Sequence, residues 1–381
     1  MKEIALITTG WFPDGDAGAV RLRMMSRCLT DAGYHVTVLC RGKLNDKGTV
    51  DGTDYISLRK HSSRLGKALD YYGFSSNVKK YLKKHRNNLH GIYIYNARIS
   101  LFEFCKVFCK KNGIKLFHDC VEWYSPEEFK TGASDVRYRN KLKINTEVID
   151  KTFSVIAISR YLEDHFKSKG IKTLRVPILC DSESRTEHKS QNGEKLTLFY
   201  AGLPGKKDLV KNLLEASLLL TKEEQEKLRI IFVGVKREGL IGDSEISPEV
   251  LDKCSSYLEL CGRVSREEVL ERMEEADFSV LIRNNSHLFA RAGFPSKVTE
   301  ALANATPMLA NFSSDLEEYL EDGKNAIVID GHTPEAVAEA LRRAISLTPE
   351  EKNAMSRNAL ETARVKFDYR LYINKMSEFF E

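Results

Sequence analysis

DFSVLIRNNSHLFARAGFPSKVTEALANATPMLAN, residues 277–311, is the stretch that decides the fold class of this 381-residue chain. It contains two short apolar runs, 277–282 and 307–311, separated by a polar loop and an amphipathic segment at 296–305. An apolar run, a helix and a second apolar run are typical of a β-α-β unit whose parallel strands are covered on both faces. The sequence therefore predicts a parallel sheet with flanking helices.

The same alternation continues in both directions along the chain. In the first half, strands are predicted at 3–9, 35–40, 91–96, 114–119, 153–159 and 173–179. In the second half, they are predicted at 196–202, 228–234, 257–262, 277–282, 307–311 and 325–330. The intervening stretch DSESRTEHKSQNGE (181–194) has no strong apolar residue and is typical of a linker. We therefore predict an α/β chain of two Rossmann-like domains, 1–180 and 195–365, whose parallel sheets face each other across a cleft.

Composition excludes several classes of protein. The chain is 42% apolar and 30% charged, as globular proteins are, and no apolar run is long enough to span a membrane. The first residues, MKEIALITTGW, lack the basic head and cleavage site of a signal peptide. Its eight cysteines include no CxxC pair and are expected to be reduced thiols. These features predict a cytoplasmic protein.

Charge is unevenly distributed. Residues 1–180 carry a net charge of +14 and residues 181–381 a net charge of −9. The densest basic stretch, 59–86, has nine Lys and Arg residues and one acid, Asp70. Interleaved apolar residues make this stretch suited to an anionic membrane surface. A nucleic-acid face and an ordinary solvated helix are the two other interpretations, and no RNA-binding or zinc-finger motif supports the first of these.

Two segments of the second half present cations where a phosphate would bind. A helix is predicted to begin near Pro295 and Ser296, and its free backbone N–H groups attract anions. Lys297 and Arg283 would add full charges there, and Glu300 lies one turn further on, where it can accept hydrogen bonds from sugar hydroxyls.

The second segment is YAGLPGKKDLVKNLLEA (200–216), where a strand ends at Gly202 and a glycine turn follows. The turn delivers Lys206 and Lys207 to the carboxyl end of the strand, which suits a diphosphate. Asp208 is predicted to be the N-cap of the next helix.

The first loop, GWFPDGDAGAVR, places Gly15 and Gly18 after strand one, where ligands of such sheets bind. Its spacing is not GxGxxG and no acid ends strand two, so a dinucleotide cofactor is disfavoured. Asp14 and Asp16 flank Gly15 in a pattern common in plain turns, and no metal site is predicted.

Together these motifs resemble the retaining glycosyltransferases of the GT-B fold, family four, of the bacterial surface-polysaccharide kind. The resemblance covers nearly the whole chain. It rests on five segments in the family's order: AISRYLEDHF, YAGLPGKKD, CGRVSREEVLERMEEADFSVL, FPSKVTEALANATPMLAN and YLEDGKNAIVIDGHTPEAVAEAL. The resemblance also implies that a C-terminal helix, 366–381, crosses back to pack on the N-terminal domain.

The resemblance implies roles for individual residues. Glu300 matches the second glutamate of an E-x7-E pair and would hold the ribose hydroxyls. Lys207, with Lys206 as the alternative, matches the cation at the diphosphate, and Lys297 matches a proline-threonine-lysine form. Other residues predicted to bind the donor are Gly15, Gly18, Gly202, Arg263, Val264, Arg283, Gly293, Phe294 and Ser296.

The chain departs from the family at Ala292, where the first glutamate of the pair is expected. Alanine cannot contact the transferred sugar as a carboxylate would. In the first domain, the segment FHDCVEWYSPEEF (117–129) corresponds to the family's site near the reacting carbon. Its candidates for catalysis, beside Lys207 and Lys297, are His118, Asp119 and Glu122.

The implied activity is transfer of a sugar, with retention, from a UDP- or GDP-linked donor to a glycan or lipid-linked acceptor, without a metal or another cofactor. The implied setting is the synthesis of capsule or lipopolysaccharide, at the inner face of the cytoplasmic membrane, with no nucleic-acid partner. Three alternatives stay open: a nucleotide-sugar epimerase of the same fold, a catalytically silent glycan- or partner-binding protein, and a basic RNA-binding protein.

Overall fold

The computed structural model describes residues 2–184, 195–205 and 207–381. The chain forms two compact units. The first comprises Met1–Leu179, Ala292–Phe294 and Tyr369–Glu381, and the second comprises Cys180–Arg291 and Pro295–Asp368. Most of the predicted linker, residues 185–194, lies outside the described residues.

A mostly parallel sheet forms the centre of the first unit. Its strands are β1 (Lys2–Thr8), β2 (Tyr34–Cys40), β3 (Lys47–Val50), β4 (Thr53–Ser57), β5 (Leu89–Asn96), β6 (Lys115–Cys120), β7 (Ser154–Ala157) and β8 (Lys172–Arg175). The strand order is β3-β4-β2-β1-β5-β6-β7-β8, and only the edge pair β3–β4 is antiparallel among the described strands. The order reverses between β1 and β5, and such a switch point opens a crevice at the carboxyl ends of the strands.

Helices cover both faces of this sheet. They are α1 (Ala17–Asp31), α2 (Arg64–His85), α3 (Ile99–Asn112), α4 (Val136–Lys143) and α5 (Arg160–Ser168). Gly113 ends α3 in the left-handed conformation, with φ of 67°, as its place after the apolar pattern predicts. Fully buried residues such as Leu6, Val38 and Tyr93 form the core between the layers.

The edge hairpin β3–β4 was not predicted, although its turn carries a signal. Asp51 and Gly52 connect the strands with φ values of 47° and 74°. Two successive positive φ angles define the tight turn that matches strand twist, and Asp-Gly is a preferred pair for it. The flanking segments, KGTV and TDYIS, are too short and polar to stand out as strands.

The second unit repeats the architecture with an all-parallel sheet. Its strands are β9 (Leu196–Ala201), β10 (Leu228–Val233), β11 (Leu258–Gly262), β12 (Phe278–Leu281), β13 (Met308–Ala310) and β14 (Ala326–Val328). The order is β11-β10-β9-β12-β13-β14 among the strands of the described residues. All twelve predicted strands of the two sheets are thus confirmed, with ends that shift by a few residues.

The helices of the second unit also cover both faces of its sheet. They are α6 (Val210–Leu218), α7 (Lys222–Glu226), α8 (Arg237–Asp243), α9 (Pro248–Cys254), α10 (Arg266–Glu274), α11 (Leu288–Ala292), α12 (Ser296–Ala303), α13 (Pro334–Ser346) and α14 (Pro349–Thr362). The helix predicted over 296–305 is confirmed as α12, with Pro295 as its N-cap.

A final helix, α15 (Ile373–Phe380), groups with the first unit. The Phe380 ring stacks on Phe117 of β6 with 3.8 Å between centroids. His90 Nε2 lies 2.7 Å from the Phe380 carbonyl, and Lys172 donates to the Phe379 carbonyl at 3.0 Å. These contacts bury both phenylalanines and tie the chain end to the sheet. Among the described helices, none has the length and hydropathy needed to cross a membrane.

Candidate functional site

Glycines end three neighbouring strands at the carboxyl edge of the second sheet. Gly202, Gly234 and Gly262 follow or end β9, β10 and β11 with φ values of 132°, 95° and 63°. A Cβ on Gly234 would lie 3.1 Å from the Gly202 carbonyl oxygen, and a Cβ on Gly202 would lie 3.2 Å from Lys297 Cε. Glycine is therefore needed for both the conformation and the close approach, and it leaves backbone accessible at the edge where α/β sheets bind ligands.

A buried carboxylate organises two cations at this edge. Asp208 is 4% exposed and accepts hydrogen bonds from Arg283 Nε at 2.8 Å and from Lys297 Nζ at 2.7 Å. The Tyr200 hydroxyl adds a third at 2.9 Å. Burial alone would raise the pKa of Asp208, but Arg283 and Lys297 outweigh burial and hold that pKa well below its ordinary range. The cluster therefore carries one net positive charge in fixed positions.

The backbone around Arg283 is held equally firmly. Arg283 donates its N–H to Asn311 Oδ1 at 2.9 Å, and Asn311 Nδ2 donates to the Arg283 carbonyl at 2.7 Å. The N–H of Leu209 donates to the Ile282 carbonyl at 2.8 Å, which joins the turn after β9 to the end of β12. The loops that carry Asp208 and Arg283 are thus locked to each other.

The predicted N-cap role of Asp208 is wrong. Helix α6 has Leu209 as its N-cap, and that N-cap makes no side-chain hydrogen bond to the helix. The carboxylate of Asp208 is occupied by Arg283 and Lys297 instead, because two fully charged donors stabilise a buried carboxylate more than one backbone N–H group would. Sequence analysis missed this cluster because its members lie 75 and 89 residues apart along the chain.

Of the two lysines in the glycine turn, the structure describes Lys207. Lys207 lies near the same edge, with Nζ 5.2 Å from the centre of the Phe289 ring. Lys206 lies outside the described residues. Lys297, in the first turn of α12, also approaches the Tyr200 ring at 5.0 Å. Predicted phosphate ligands therefore come from the turn after β9 and from the start of α12.

Glu300, predicted to hold a ribose, forms an ion pair. Its Oε1 lies 2.7 Å from Arg266 Nη2, and the two side chains are 26% and 54% exposed. Arg266 begins α10 and follows the predicted base contacts Arg263 and Val264, which are exposed and half-buried. Sequence analysis missed Arg266, which had no signal beyond its place in a charged helix start.

The alanine at the position of the missing glutamate is buried. Ala292 is fully buried, and its carbonyl accepts a hydrogen bond from the Ser159 hydroxyl at 2.6 Å. Ala292, Gly293 and Phe294 group with the first unit, and Phe294 is also buried.

Asp119, predicted to be catalytic, forms a buried ion pair with Arg21. Arg21 donates to both of its oxygens, Nε at 2.8 Å and Nη2 at 2.7 Å, and the Tyr93 hydroxyl donates at 2.7 Å. Both charged side chains are essentially unexposed. Arg21 also donates to the carbonyls of Val176 and Pro177. Asp119 is therefore a structural anion that ties α1 to the segment after β8.

His118, also predicted to be catalytic, is buried. Its ring is fully buried, Nδ1 lies 2.9 Å from the Ile94 carbonyl, and Phe102 packs edge-on at 5.0 Å. Burial, with a smaller contribution from Lys141, lowers the pKa of His118 to about 3, so the ring stays neutral. Both His118 and Asp119 lie within β6, a central strand of the sheet, and among the described residues His118 Nε2 has no hydrogen-bond partner. The catalytic roles of His118 and Asp119 stay predictions.

Glu122, past the end of β6, is half-buried. The Tyr124 hydroxyl hydrogen-bonds to its carboxylate, and burial together with Glu122 raises the pKa of Tyr124. The neighbouring Trp123 packs edge-on against His165 at 4.6 Å and is 9% exposed. Trp123 is therefore a core residue, and Glu122 is the one candidate of this segment that the structure leaves accessible.

The predicted first-loop glycines allow close packing. A Cβ on Gly15 would lie 2.8 Å from Trp11 Cβ, and one on Gly18 would lie 3.0 Å from the Tyr95 hydroxyl. Asp16 caps α1 by accepting from Gly18 N at 3.0 Å and is thereby engaged in the turn. The two glycines are therefore required because side chains pack closely against the backbone of this loop.

The second half of the chain matches a known family. Residues 181–362 match the family model described as glycosyl transferases group 1. No curated protein sequence matches the chain.

Solved structures match both units together. Sucrose-phosphate synthase from Thermosynechococcus elongatus is similar with a TM-score of 0.77 at 15% identity, over 99% of this chain and 98% of that chain. Anabaena HepE in complex with UDP-glucose is similar with a TM-score of 0.69 at 14% identity, over 99% of both chains. WaaG, a glycosyltransferase involved in lipopolysaccharide biosynthesis, is similar with a TM-score of 0.69 at 16% identity, over 98% of both chains. These likenesses confirm the predicted GT-B fold, an α/β chain with two parallel-sheet domains.

Proposed function

We propose that the chain is a glycosyltransferase that transfers a hexosyl group from a UDP- or GDP-linked sugar to a glycan acceptor. The observation that carries the proposal is the pair of cations, Arg283 and Lys297, fixed by buried Asp208 at the carboxyl edge of the second sheet. The group 1 domain match supports it, and so does the likeness to HepE, a protein whose structure contains UDP-glucose.

The two cations would stabilise the leaving nucleoside diphosphate. Negative charge grows on the β-phosphate as the bond to the sugar breaks, and preorganised donors aimed at growing charge lower the barrier. One such donor can contribute ~2.7–4 kcal/mol. Lys297 and Arg283 would contact this phosphate, while Lys207 and the N-terminus of α12 at Ser296 would contact the remaining oxygens. Asp208 acts through these cations as a positioning residue.

Transfer with retention requires the acceptor hydroxyl to attack the face that the phosphate leaves. The acceptor oxygen forms the new bond to the sugar carbon, the bond from that carbon to the phosphate oxygen breaks, and the hydroxyl proton passes to the leaving phosphate. Glu122 is proposed to contact the acceptor, and Glu300 the ribose. The protein cations would take the place of a metal in this scheme.

Nucleotide binding tests the donor site. Thermal-shift titrations with UDP, GDP, ADP and CMP are expected to show stabilisation by UDP or GDP. The Lys297→Ala variant should bind about 10-fold or more weakly, because it loses a charge-assisted hydrogen bond. Lys324→Ala removes an exposed lysine of the same unit and serves as the matched control. Equal nucleotide shifts in the Lys297→Ala variant and in wild type would contradict the donor site.

Stereochemistry and metal dependence are tested on the reaction itself. The product anomer, read by proton NMR during transfer from an α-linked donor, is expected to be α, and activity is expected to survive EDTA. A β product contradicts retention, and loss of activity in EDTA that magnesium restores contradicts metal independence.

The acceptor is proposed to be lipid-linked and the enzyme to act at the inner face of the cytoplasmic membrane, in surface-polysaccharide synthesis. Helix α2 supports this proposal because Leu65, Leu69 and Tyr72 are 75%, 59% and 68% exposed within the basic stretch 59–86. Exposed apolar residues beside cations suit anionic lipid headgroups.

Vesicle sedimentation tests the membrane proposal. Binding is expected to vesicles with phosphatidylglycerol, to fall with salt, and to weaken in a Leu65→Ala/Leu69→Ala variant. Leu219→Ala, which removes an exposed leucine of the second unit, is the control. Equal binding to vesicles of pure phosphatidylcholine would contradict an electrostatic membrane surface.

A silent binding protein is the second candidate, and the observation that favours it is Ala292. Without the first glutamate, the transferred sugar loses a carboxylate contact. Nucleotide binding without transfer to any acceptor, and without slow hydrolysis of the nucleotide sugar, would favour this candidate over the transferase.

A further inference from the structure

A cavity of about 180 Å³ lies at the carboxyl ends of β1 and β5 in the first unit. Thr9 and Arg98, which follow these two strands, line it together with Tyr71 of α2. This is the point where the strand order of the first sheet reverses, the usual place for a ligand in an open parallel sheet. None of the residues proposed for the donor lines this cavity.

Two arginines converge on one tyrosine beside the cavity. The guanidinium carbon of Arg98 lies 4.4 Å from the centre of the Tyr71 ring, and that of Arg41 lies 4.8 Å from the same centre. Arg98 also approaches the Tyr72 ring at 4.8 Å. The N–H of Arg41 donates to the Gly10 carbonyl at 3.1 Å, so this arginine is anchored to the loop after β1.

Neither arginine is neutralised within the part of the chain that the structure describes. The ion pairs of residues 2–184, 195–205 and 207–381 include no carboxylate on Arg41 or Arg98. This differs from the donor domain, where Asp208 compensates Arg283 and Lys297. Two like charges held near one ring repel each other, so an anionic ligand would gain from both.

The chemistry of the cluster selects a phosphate. Stacking on tyrosine leaves the in-plane N–H groups of a guanidinium free to donate hydrogen bonds. Two guanidiniums carry two positive charges, so a doubly charged phosphate matches them better than a singly charged carboxylate does. Tyr71 and Tyr72 remain 45% and 68% exposed, which leaves aromatic surface for an adjoining sugar ring or chain. We propose that this cluster binds a phosphate group of the acceptor substrate, an inference that rests on the proposed transferase function.

The test compares phosphate compounds on the full chain. Inorganic phosphate, glucose 6-phosphate and geranyl diphosphate are titrated calorimetrically into wild type and an Arg41→Ala/Arg98→Ala variant. The difference between the two proteins isolates this cluster from any phosphate bound by the donor domain. We expect at least one ester to bind wild type about 10-fold or more tightly than the variant. Lys43→Ala, an exposed cation outside the cavity, should match wild type.

The compound that binds most tightly indicates which kind of acceptor carries the phosphate. A preference for glucose 6-phosphate indicates a soluble sugar phosphate as acceptor, and a preference for geranyl diphosphate indicates a lipid-linked one. Arg98→Lys, which keeps the charge and loses the planar fork, should recover only part of the affinity and guards against misfolding in the double variant.

Two results overturn the proposal: no binding of any probe by wild type at millimolar concentration, or equal affinity in wild type and the double variant. UDP and GDP binding is measured on the same proteins. Its absence in wild type refutes the proposed function, whereas its presence with unchanged probe affinities refutes this inference alone.

Discussion

Replacing Asp208 by Asn is the sharpest test of how the second unit is built. Asp208 accepts three hydrogen bonds, two of them from Arg283 and Lys297, and is 4% exposed. Asparagine keeps the shape of the side chain, but it is uncharged, and its NH₂ group cannot accept a hydrogen bond from Arg283 or Lys297. Removing one partner of a buried ion pair costs about 3–5 kcal/mol, because it leaves the other charge uncompensated.

The expected loss is near the lower end of that range. Arg283 and Lys297 are 12% and 22% exposed, so water solvates part of the released charge. A loss of about 3 kcal/mol corresponds to a fall of roughly 6–12 °C in the melting temperature of a domain of roughly 150–250 residues. Saturating UDP or GDP should reduce the deficit, because the nucleotide phosphates supply the missing negative charge.

Scanning calorimetry of the whole chain, with and without nucleotide, measures both effects. The transition to compare is the one whose midpoint temperature is raised by nucleotide in wild type. Asp252→Asn breaks the exposed pair with Arg237 and serves as control, with an expected cost of about 1 kcal/mol or less. If Asp208→Asn melts within error of the control, Asp208 does not hold the two cations and the argument fails.

Three further predictions follow from the same geometry. Because the pKa of Asp208 is depressed in the folded protein, its contribution to stability is present above the unfolded pKa of about 3.9 and is lost as pH falls below that value. Wild type should therefore lose its stability advantage over Asp208→Asn in acid. Parallel curves of unfolding free energy for the two proteins from pH 7 to 3 would contradict this. Asp119→Asn leaves buried Arg21 without a counter-charge and should lower the free energy of unfolding in urea by about 3–5 kcal/mol, while nucleotide affinity stays unchanged. A nucleotide-binding defect in a folded variant would count against a purely structural role for Asp119. Arg266→Ala frees Glu300 and should leave nucleotide affinity equal or tighter, whereas Glu300→Ala should weaken UDP or GDP by about 10-fold, as isothermal titration would show.

How far the sequence predicts this molecule depends on whether the signal is local. Strand and helix positions, including the start of α12 at Ser296, follow from apolar periodicity and turn residues within a short window. The function of Asp208 does not, because an Asp one or two residues before a helix carries the same local signal whether it caps that helix or binds Arg283 and Lys297 far along the chain.

The first-domain candidates show a second limit. A polar residue at the carboxyl end of a strand is predicted to face ligand, yet His118 and Asp119 are fully buried. The sequence does not show that β6 is a central strand, nor that Arg21 of α1 supplies a charge for Asp119. Glu122, two residues beyond the strand, is half-buried.

The two cation clusters differ in how they compensate charge, and this difference predicts a difference in salt dependence. In the second unit, a carboxylate fixes the cations, so the cluster carries one net positive charge and is already partly neutralised. In the first unit, aromatic rings hold Arg41 and Arg98, so both charges are available to a ligand.

Screening by salt weakens attraction between exposed charges, with a Debye length of about 8 Å at physiological ionic strength. We therefore expect KM for a phosphate-bearing acceptor to rise more steeply with sodium chloride than KM for the nucleotide sugar. In the Arg41→Ala/Arg98→Ala variant, the slope for the acceptor should flatten while the slope for the donor stays the same. Identical slopes for both substrates in wild type would mean that the arginines of the first unit do not meet an anion during turnover.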